Sequence, residues 1–226
     1  MISGSKICAL LLGTMLLPWS IASASDAALA GAVPAAASSS ATALIAALGQ
    51  PAPARTAFAE ARFLHVLDRP LVVSGELAWL GGNRLQRQVE HPQPETATIA
   101  DGEVTLQRAG KSARRFSLSH APQLQVLLES FVALLSGDAT RLQQAFEISH
   151  RGSAAAGWTL TLVPRDAKVA RTVASIAIDG YGKQSRCMRM QDADGDLAVD
   201  LLGPLAAQMP AAPTREALQA LCRSAP

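Results

Sequence analysis

The fold is decided by a run of short alternating segments and turns between Phe58 and Leu106. The run reads FAEARFLHVLDRPLVVSGELAWLGGNRLQRQVEHPQPETATIADGEVTL. Apolar and polar residues alternate along it, which is typical of half-buried β-strands. Gly81-Gly82-Asn83 and Asp101-Gly102 are typical of tight hairpin turns. The run therefore predicts one side of an antiparallel β-structure. Because it contains no catalytic constellation, it indicates ligand binding rather than catalysis.

The amino terminus predicts an exported protein. Lys6 precedes an apolar run from Ile7 to Leu17, and small residues before Ser25 fit a signal-peptidase site. That run is shorter than the ~20 residues that span a bilayer. We therefore predict a signal peptide over 1–24, cleaved near Ala24, and a periplasmic location. An Ala- and Ser-rich flexible leader over 25–43 should follow, and then one domain over 44–223.

Composition argues against two classes of protein. The net charge is only +2 and aromatic residues make up 4% of the chain, so nucleic-acid binding is not expected. The hydrophobic fraction of 49% includes the signal and many alanines. No later apolar run approaches the ~20 residues of a membrane span.

Two cysteines remain after the signal peptide. Cys187 falls in a strand pattern, and Cys222 falls in a short helical pattern near the carboxyl terminus. In an oxidising compartment such a pair is a disulfide candidate. The bond would attach the helix to the sheet. The alternative is two unpaired thiols, and the spacing matches no metal or redox motif.

The middle of the chain changes from a strand period to a helix period. Apolar residues recur at i, i+3, i+4 and i+7 between Leu124 and Leu135, which predicts an amphipathic helix. Asp138 is placed to cap a second short helix that ends at Ala145. Short strand patterns resume at Phe146. The chain is thus mainly β with inserted helices (α+β), and the first helix must bury its apolar stripe against the mouth or inner face of the sheet.

A search for catalytic chemistry finds none. The sequence has no nucleophile elbow, no phosphate-binding glycine loop and no Cys-x-x-Cys motif. Its histidines lie far apart, and the acidic residues at 192, 194 and 196 fit a hairpin turn better than a calcium loop. Glu60 and Glu76 would pair as carboxylates if their strands were neighbours, although solvated strand faces are the better interpretation. We predict no enzyme activity, no cofactor and no metal.

Large apolar residues offer two interpretations, a filled core or the lining of a cavity. Methionine and aromatic side chains adapt to alkyl chains, and each buried methylene contributes about 0.8 kcal/mol. A sheet with a movable helix over it would therefore shelter acyl chains. The candidate lining residues are Phe63, Leu71, Val73, Leu77, Trp79, Leu127, Phe131, Trp158, Leu160 and Met188.

The order of these features resembles the LolA-like family of periplasmic outer-membrane lipoprotein carriers. The resemblance is carried by Gly75-Glu76-Leu77 with Trp79, by Pro92, by Asp101-Gly102, by the 124–135 helix, and by Trp158-x-Leu160-x-Leu162-x-Pro164. It implies an incomplete antiparallel β-barrel of about 11 strands with a helical lid. It also implies a monomer that carries lipoprotein acyl chains or another lipid from an inner-membrane donor to an outer-membrane acceptor.

One family feature is missing from the sequence. The better-known carriers have an Arg-Pro-Asn segment after the second strand, and its arginine helps to control lid closure. Here Gly81-Gly82-Asn83 takes that place, which leaves Arg84 and Arg87 as substitutes. The alternative function is a non-catalytic sensor or structural binding module that uses the same fold, and a hydrolase is a third.

Overall fold

The structure is a computed structural model that describes residues 35–120 and 122–224. Those residues belong to one compact unit that spans 33–226. The predicted signal peptide and its cleavage site lie outside the described residues.

The described residues form one antiparallel sheet of 11 strands. The strands are β1 (Ala54–Phe63), β2 (Leu71–Gly81), β3 (Arg84–His91), β4 (Glu95–Ala100), β5 (Glu103–Arg108), β6 (Arg114–Ser117), β7 (Phe146–Ser153), β8 (Gly157–Pro164), β9 (Val173–Tyr181), β10 (Gln184–Asp192) and β11 (Leu197–Leu202).

The same residues contain five α-helices and two short 3-10 helices. The helices are α1 (Ala35–Leu48), α2 (Pro122–Ser136), α3 (Ala139–Ala145), α4 (Ala167–Ala170) and α5 (Arg215–Arg223), with 3-10 turns at Leu118–His120 and Gly203–Gln208.

Two meanders of strands meet in the middle of the sheet. The order is β6-β5-β4-β3-β2-β1-β11-β10-β9-β8-β7, so β1 pairs with β11 and the edges are β6 and β7. Helices α2 and α3 follow β6 and precede β7 in the chain. The predicted antiparallel sheet of about 11 strands that does not close is confirmed.

The strand registers define two faces of the sheet, because directly opposed residues of antiparallel strands project to the same side. Glu60 opposes both Val73 and Asp200, and Asp200 opposes Met188. We call the side that carries these residues the inner face. The other side carries Cys187 and is called the outer face.

Each face has its own buried cluster. On the inner face, strands β7–β10 pack with α1, α2, α3 and α4 around residues such as Phe146, Leu160 and Ile178. On the outer face, β1, β10 and β11 pack with α5 around residues such as Leu201 and Leu218. The helix predicted at 124–135 thus buries its stripe on the inner face, as α2.

The predicted leader is wrong over its last residues. Residues 35–43 belong to α1, and Ala41 and Ile45 on this helix are buried in the inner cluster. Alanine has the highest helix propensity and its small side chain allows close packing. The folded part therefore begins before residue 44, because the small alanine side chains of α1 pack into the inner cluster.

A turn connects the first two strands. β1 ends at Phe63, and residues 64–70 lead to the start of β2 at Leu71. A hydrogen bond from Leu67 N to Leu64 O closes the turn at 3.0 Å. Asp196 accepts hydrogen bonds from the backbone N and Nδ1 of His65, at 2.7 and 2.8 Å. This long-range carboxylate replaces the strand partner that His65 would otherwise need.

Two glycines lie at positions where the backbone conformation or a close approach of strands favours glycine. Asp101 and Gly102 both have positive φ, 51° and 75°, as a tight hairpin between β4 and β5 requires. Gly75 lies at a register shift between β2 and β3. A Cβ there would lie 1.9 Å from the Gln88 backbone oxygen, so only glycine allows this close approach.

Candidate functional site

Seven of the ten candidate lining residues share the inner face. The residues on β2 are placed on this face by their pairing with inner-face residues of β1. The residues on β8 and β10 are placed there by their pairing with β9, which lies between the two strands. The seven residues are Leu71, Val73, Leu77, Trp79, Trp158, Leu160 and Met188.

Five of the seven residues fall into a packed group and a partly exposed group. Trp158 and Leu160 are 3% and 0% exposed inside the inner cluster, so they fill space under the helices. Gly180 makes room for Trp158, because a Cβ there would lie 2.1 Å from the indole ring. Leu71, Val73 and Leu77 belong to neither buried cluster and keep part of their surface exposed.

Phe63 does not lie with the other candidates. It opposes Leu197, projects to the outer face and packs against the outer cluster. The guanidinium of Arg215 on α5 lies 5.3 Å from the centre of its ring. Phe63 does not lie on the inner face, because it is an odd number of positions away from Glu60 and Arg62 on β1. Its side chain therefore projects to the opposite side of the strand.

The two helix candidates lie against the inner cluster. Leu127 is buried in it, and Phe131 packs on it while keeping part of its surface exposed. Both belong to α2, which packs against α1, α3 and α4. Phe131 is therefore the candidate at the boundary between the packed core and solvent.

An apolar row, of which only Trp79 was a predicted lining residue, crosses the other half of the inner face. Successive registers join its members over five adjacent strands, β2 to β6, at about 4.8 Å per strand. None of them belongs to either buried cluster. The members of this row, which we call the cross-strand row, are Trp79, Leu85, Ile99, Val104 and Phe116.

A buried ionic cluster separates the two halves of the inner face. Glu60 is only 3% exposed and forms ion pairs with Arg62 and Arg87. The Arg87 guanidinium also lies 4.7 Å from the centre of the Phe58 ring, in a cation–π contact. The two arginines satisfy a carboxylate that would otherwise be costly to bury.

Asp200 completes this cluster from β11. It lies directly opposite Glu60 and is also buried. Burial, and next the negative charge of Glu60, raise the pKa of Asp200 to about 8, although Arg87 and Arg62 act in the opposite direction. Asp200 is therefore largely protonated at neutral pH.

The structure distinguishes Arg84 from Arg87, the two candidates to replace the family arginine. Arg84 is exposed, and its side chain donates to the backbone oxygens of Leu80 and Gly81 at 3.0 and 3.4 Å. Arg87 projects over the inner face toward Glu60. Of the two, Arg87 is the arginine that faces the candidate site.

On the outer face, Cys187 and Cys222 are joined by a disulfide bond with a Cα–Cα distance of 5.6 Å. The bond attaches α5 to β10, within the outer cluster. Nearby on this face, Asp179 accepts hydrogen bonds from Thr159 and Arg189 at 2.6 and 2.9 Å. These contacts stabilise the outer side of the sheet and lie away from the inner-face residues.

One cleft lies between helices and contains none of the predicted residues. Its volume is about 310 Å³, and it lies between α2, α3 and the residue that caps α4. Glu129, Arg141 and Asp166 give it a charged lining. It is therefore a polar helix junction rather than a shelter for apolar ligands.

Two other kinds of site, a membrane-spanning helix and a metal centre, are absent from the described residues. No helix within 35–120 and 122–224 has the length and apolar character to cross a membrane. In the same ranges, no three His, Cys, Asp or Glu side chains are grouped to hold a metal ion.

The missed residues carried signals in the sequence. Asp200 is a single carboxylate in the apolar strand LAVDLL, and Glu60 alternates in phase with Phe58 and Arg62. Glu60 and Glu76 do lie on neighbouring strands, but they face opposite sides of the sheet. The expectation of two solvated carboxylates was therefore wrong for Glu60.

The sheet is open, and one face carries an apolar row beside a buried ionic cluster. The chain matches the family described as outer membrane lipoprotein carrier protein LolA-like over residues 32–225. It therefore belongs to the LolA-like family. Among curated proteins, no sequence matches it.

The solved structures that match the chain are distant in sequence. A LolA superfamily protein from Nitrosomonas europaea is 11% identical, with 74% of this chain and 91% of that chain covered and a TM-score of 0.41. A DUF1329 family protein from Desulfovibrio piger is 9% identical, with 74% and 92% covered and a TM-score of 0.40. The Pseudomonas aeruginosa MucA/MucB complex is 16% identical, with 82% and 61% covered and a TM-score of 0.36.

Proposed function

We propose that the protein is a non-catalytic periplasmic carrier that shelters the acyl chains of a lipoprotein or another lipid against its inner face. The cross-strand row is the observation that carries this proposal. It spans β2 to β6 outside both buried clusters; Trp79 and Val104 are 8% and 6% exposed, whereas Phe116 at its end is 45% exposed. An apolar surface that the protein leaves partly open is suited to an apolar ligand.

The dimensions of the inner face suit an acyl chain. Four strand spacings of about 4.8 Å give the cross-strand row a length of about 19 Å. One leaflet of a bilayer has a hydrocarbon thickness of about 15 Å. Because each methylene removed from water contributes about 0.8 kcal/mol, a chain along this row would be held by many small contributions.

The proposal includes the route of the protein and its partners. A signal peptide over 1–24 would direct export to the periplasm, and the folded monomer would begin near α1 rather than at residue 44. An inner-membrane donor would load the lipid and an outer-membrane acceptor would receive it. Membership of the LolA-like family supports this route.

Native mass spectrometry with lipid extraction tests the proposal. Protein purified from periplasm should carry acyl species, and delipidated protein should take up a fluorescent fatty acid. A clean apo mass under gentle conditions, together with no uptake, would reject the carrier and favour the binding-module alternative. Turnover of ester substrates would instead favour a hydrolase.

Matched variants locate the ligand. Leu77→Asp places a charge on the inner face, and we expect it to lower fatty-acid affinity about tenfold or more, since a charge opposes apolar burial. Val163→Asp, at an exposed position of β8 outside the inner face, is the control and should bind normally. Equal binding by the two variants would place the ligand elsewhere.

Phe131→Asp tests the role of α2 as a lid. Because Phe131 lies at the edge of the inner cluster, the variant should abolish uptake while the sheet stays folded. Circular dichroism separates this result from unfolding. A variant that simply unfolds would show that Phe131 is a core residue and would remove support for the lid.

A further inference from the structure

The turn between β1 and β2 exposes an unusual group of aliphatic side chains. Val66, Leu67 and Leu71 are 71%, 43% and 50% exposed. They are three of the five large apolar residues that are exposed in the described part of the chain, and they fall within six consecutive positions. Single exposed apolar residues are ordinary, but a cluster of them marks an interaction surface. We call residues 64–71 the β1–β2 tip.

The β1–β2 tip is held in place rather than loosely attached. The turn hydrogen bond from Leu67 N to Leu64 O closes it at 3.0 Å. The Asp196 carboxylate, from the turn between β10 and β11, accepts both hydrogen bonds from His65. The backbone N–H and the ring of His65 lower the pKa of Asp196, so this anchor stays ionised near neutral pH. The aliphatic side chains are therefore presented outward from a fixed turn.

The β1–β2 tip is also continuous with the inner face. Leu71 opposes Arg62 at the end of the β1–β2 ladder, and so it is the first inner-face residue of β2. Val73 and Leu77 follow it on the same side of the strand. An acyl chain that moves along β2 would therefore leave the inner face between Leu71 and the exposed Val66 and Leu67.

We propose that the β1–β2 tip inserts into the surface of a phospholipid bilayer, so that lipid passes directly between the bilayer and the inner face. Aliphatic side chains that project from a fixed turn can enter the boundary between headgroups and acyl chains. Arg69, which is exposed within the tip next to Asp68, supplies a cation for lipid phosphates. The purpose of the contact rests on the proposed carrier function, but the contact itself is tested separately.

The test is sedimentation of the full mature protein with vesicles of phosphatidylcholine and phosphatidylglycerol in a 3:1 ratio, a composition chosen for the probe. We expect Val66→Asp combined with Leu67→Asp to lower vesicle partitioning about tenfold or more, because two apolar side chains lose their transfer into lipid. Val163→Asp is the matched control, and it should bind vesicles as the unchanged protein does. Circular dichroism should show all three proteins folded.

A second measurement separates this inference from the carrier proposal. Uptake of a fatty acid presented as free monomers should be the same in the tip variant and the unchanged protein. If the unchanged protein takes up no fatty acid, the carrier proposal fails, whatever the vesicle result. If the unchanged protein does not bind vesicles, or if the tip and Val163 variants bind equally, the β1–β2 tip is not a membrane contact. Loss of a dimer in the tip variant, without vesicle binding by the unchanged protein, would instead assign the tip to self-association.

Discussion

Glu60 and Asp200 face each other across the two central strands, on a side of the sheet that is otherwise largely apolar. Like charges at directly opposed positions destabilise an antiparallel pair. The pair persists because Arg62 and Arg87 hold the Glu60 carboxylate and because Asp200 keeps a proton. This cluster is thus the position where stability depends most directly on pH.

Stability should fall as the pH rises from about 4 to 8. The pKa of Asp200 is about 8 in the folded protein and near 3.8 when unperturbed. Between these values the folded state holds a proton that the unfolded state has released, so raising the pH favours unfolding. Asp200→Asn mimics the protonated form and removes this dependence. The free energy of unfolding of Asp200→Asn, minus that of the unchanged protein, should increase by on the order of 1 kcal/mol for each unit of rising pH. This difference should become constant above pH 8.

Chemical denaturation of both proteins from pH 5 to 9 measures this difference. Asp192 also has a pKa raised by partial burial and then by Asp196, but it is present in both proteins, so its contribution cancels. Asp68→Asn, in the exposed β1–β2 tip, is the control and should follow the unchanged protein. A constant difference between Asp200→Asn and the unchanged protein across this range would contradict the assignment.

Arg87 should contribute to stability where Arg84 does not. Arg87→Met keeps the apolar stem but removes one of the two cations on Glu60, and we expect a loss of about 2 kcal/mol. The loss is smaller than for a fully buried pair because Arg87 is 30% exposed and Arg62 remains. Arg84→Met should change stability by no more than about 0.5 kcal/mol.

Urea denaturation of the two arginine variants provides the measurement. In a Glu60→Gln background the effect of Arg87→Met should shrink, because the buried charge that Arg87 offsets is gone. Equal losses for Arg84 and Arg87, or an unchanged effect in that background, would show that the Glu60 contact contributes little.

Single residues show what sequence reasoning can and cannot place. Alternation along β2 correctly predicted that Leu71, Val73, Leu77 and Trp79 share a face, because strand parity is a local property. Phe63 was placed on the wrong face, because the side to which it projects is defined by the pairing of β1 with β11, a strand far away in the chain. The Glu60–Asp200 pair depends on the same long-range register, which no local pattern contains.

Among the elements, α5 depends on a covalent attachment to the sheet. The disulfide between Cys187 and Cys222 links residues 35 positions apart. Replacing both cysteines by alanine should cost about 4 kcal/mol on the chain-entropy estimate for a loop of this length. Hydrogen exchange should then be faster in α5 than in α2, because α5 has only Leu218 and Cys222 buried against the sheet.

Thermal unfolding and a thiol count on the denatured, unreduced protein provide the measurements for this element. The unchanged protein should show no free thiol after removal of the signal peptide. Cys187→Ala alone should cost as much stability as the double variant if the bond accounts for the effect. Two free thiols would reject the disulfide outright.

Elements with strong local signals were predicted well. The helical period and the Asp138 cap predicted α2 and α3, and the cap accepts a hydrogen bond from Arg141 N at 3.0 Å. The Asp101-Gly102 turn fixed the β4–β5 hairpin. The start of α1 was missed because an alanine-rich segment is marginal alone, and here its helix is stabilised by packing in the inner cluster.

For the whole molecule, the distribution of buried residues predicts unequal stability across the sheet. Both buried clusters lie on β1 and β7–β11 with the helices, and strands β3–β6 contribute no member to either. These four strands contain only two buried apolar residues, Val89 and Val104. Regions with few buried contacts open more readily than the core. The half of the sheet that carries the cross-strand row should therefore be the less stable half.

Hydrogen exchange measured with and without palmitate tests this unequal stability and its link to binding. Without ligand, β3–β6 should exchange faster than β8–β10. Palmitate should slow exchange in β2–β5, because a ligand that binds only the folded face stabilises that face by mass action. The Leu77→Asp variant should show no such slowing, while Val163→Asp should behave as the unchanged protein does. Slowing confined to β8–β10 and α2 would instead place the ligand beneath the helices and remove the cross-strand row from the binding site.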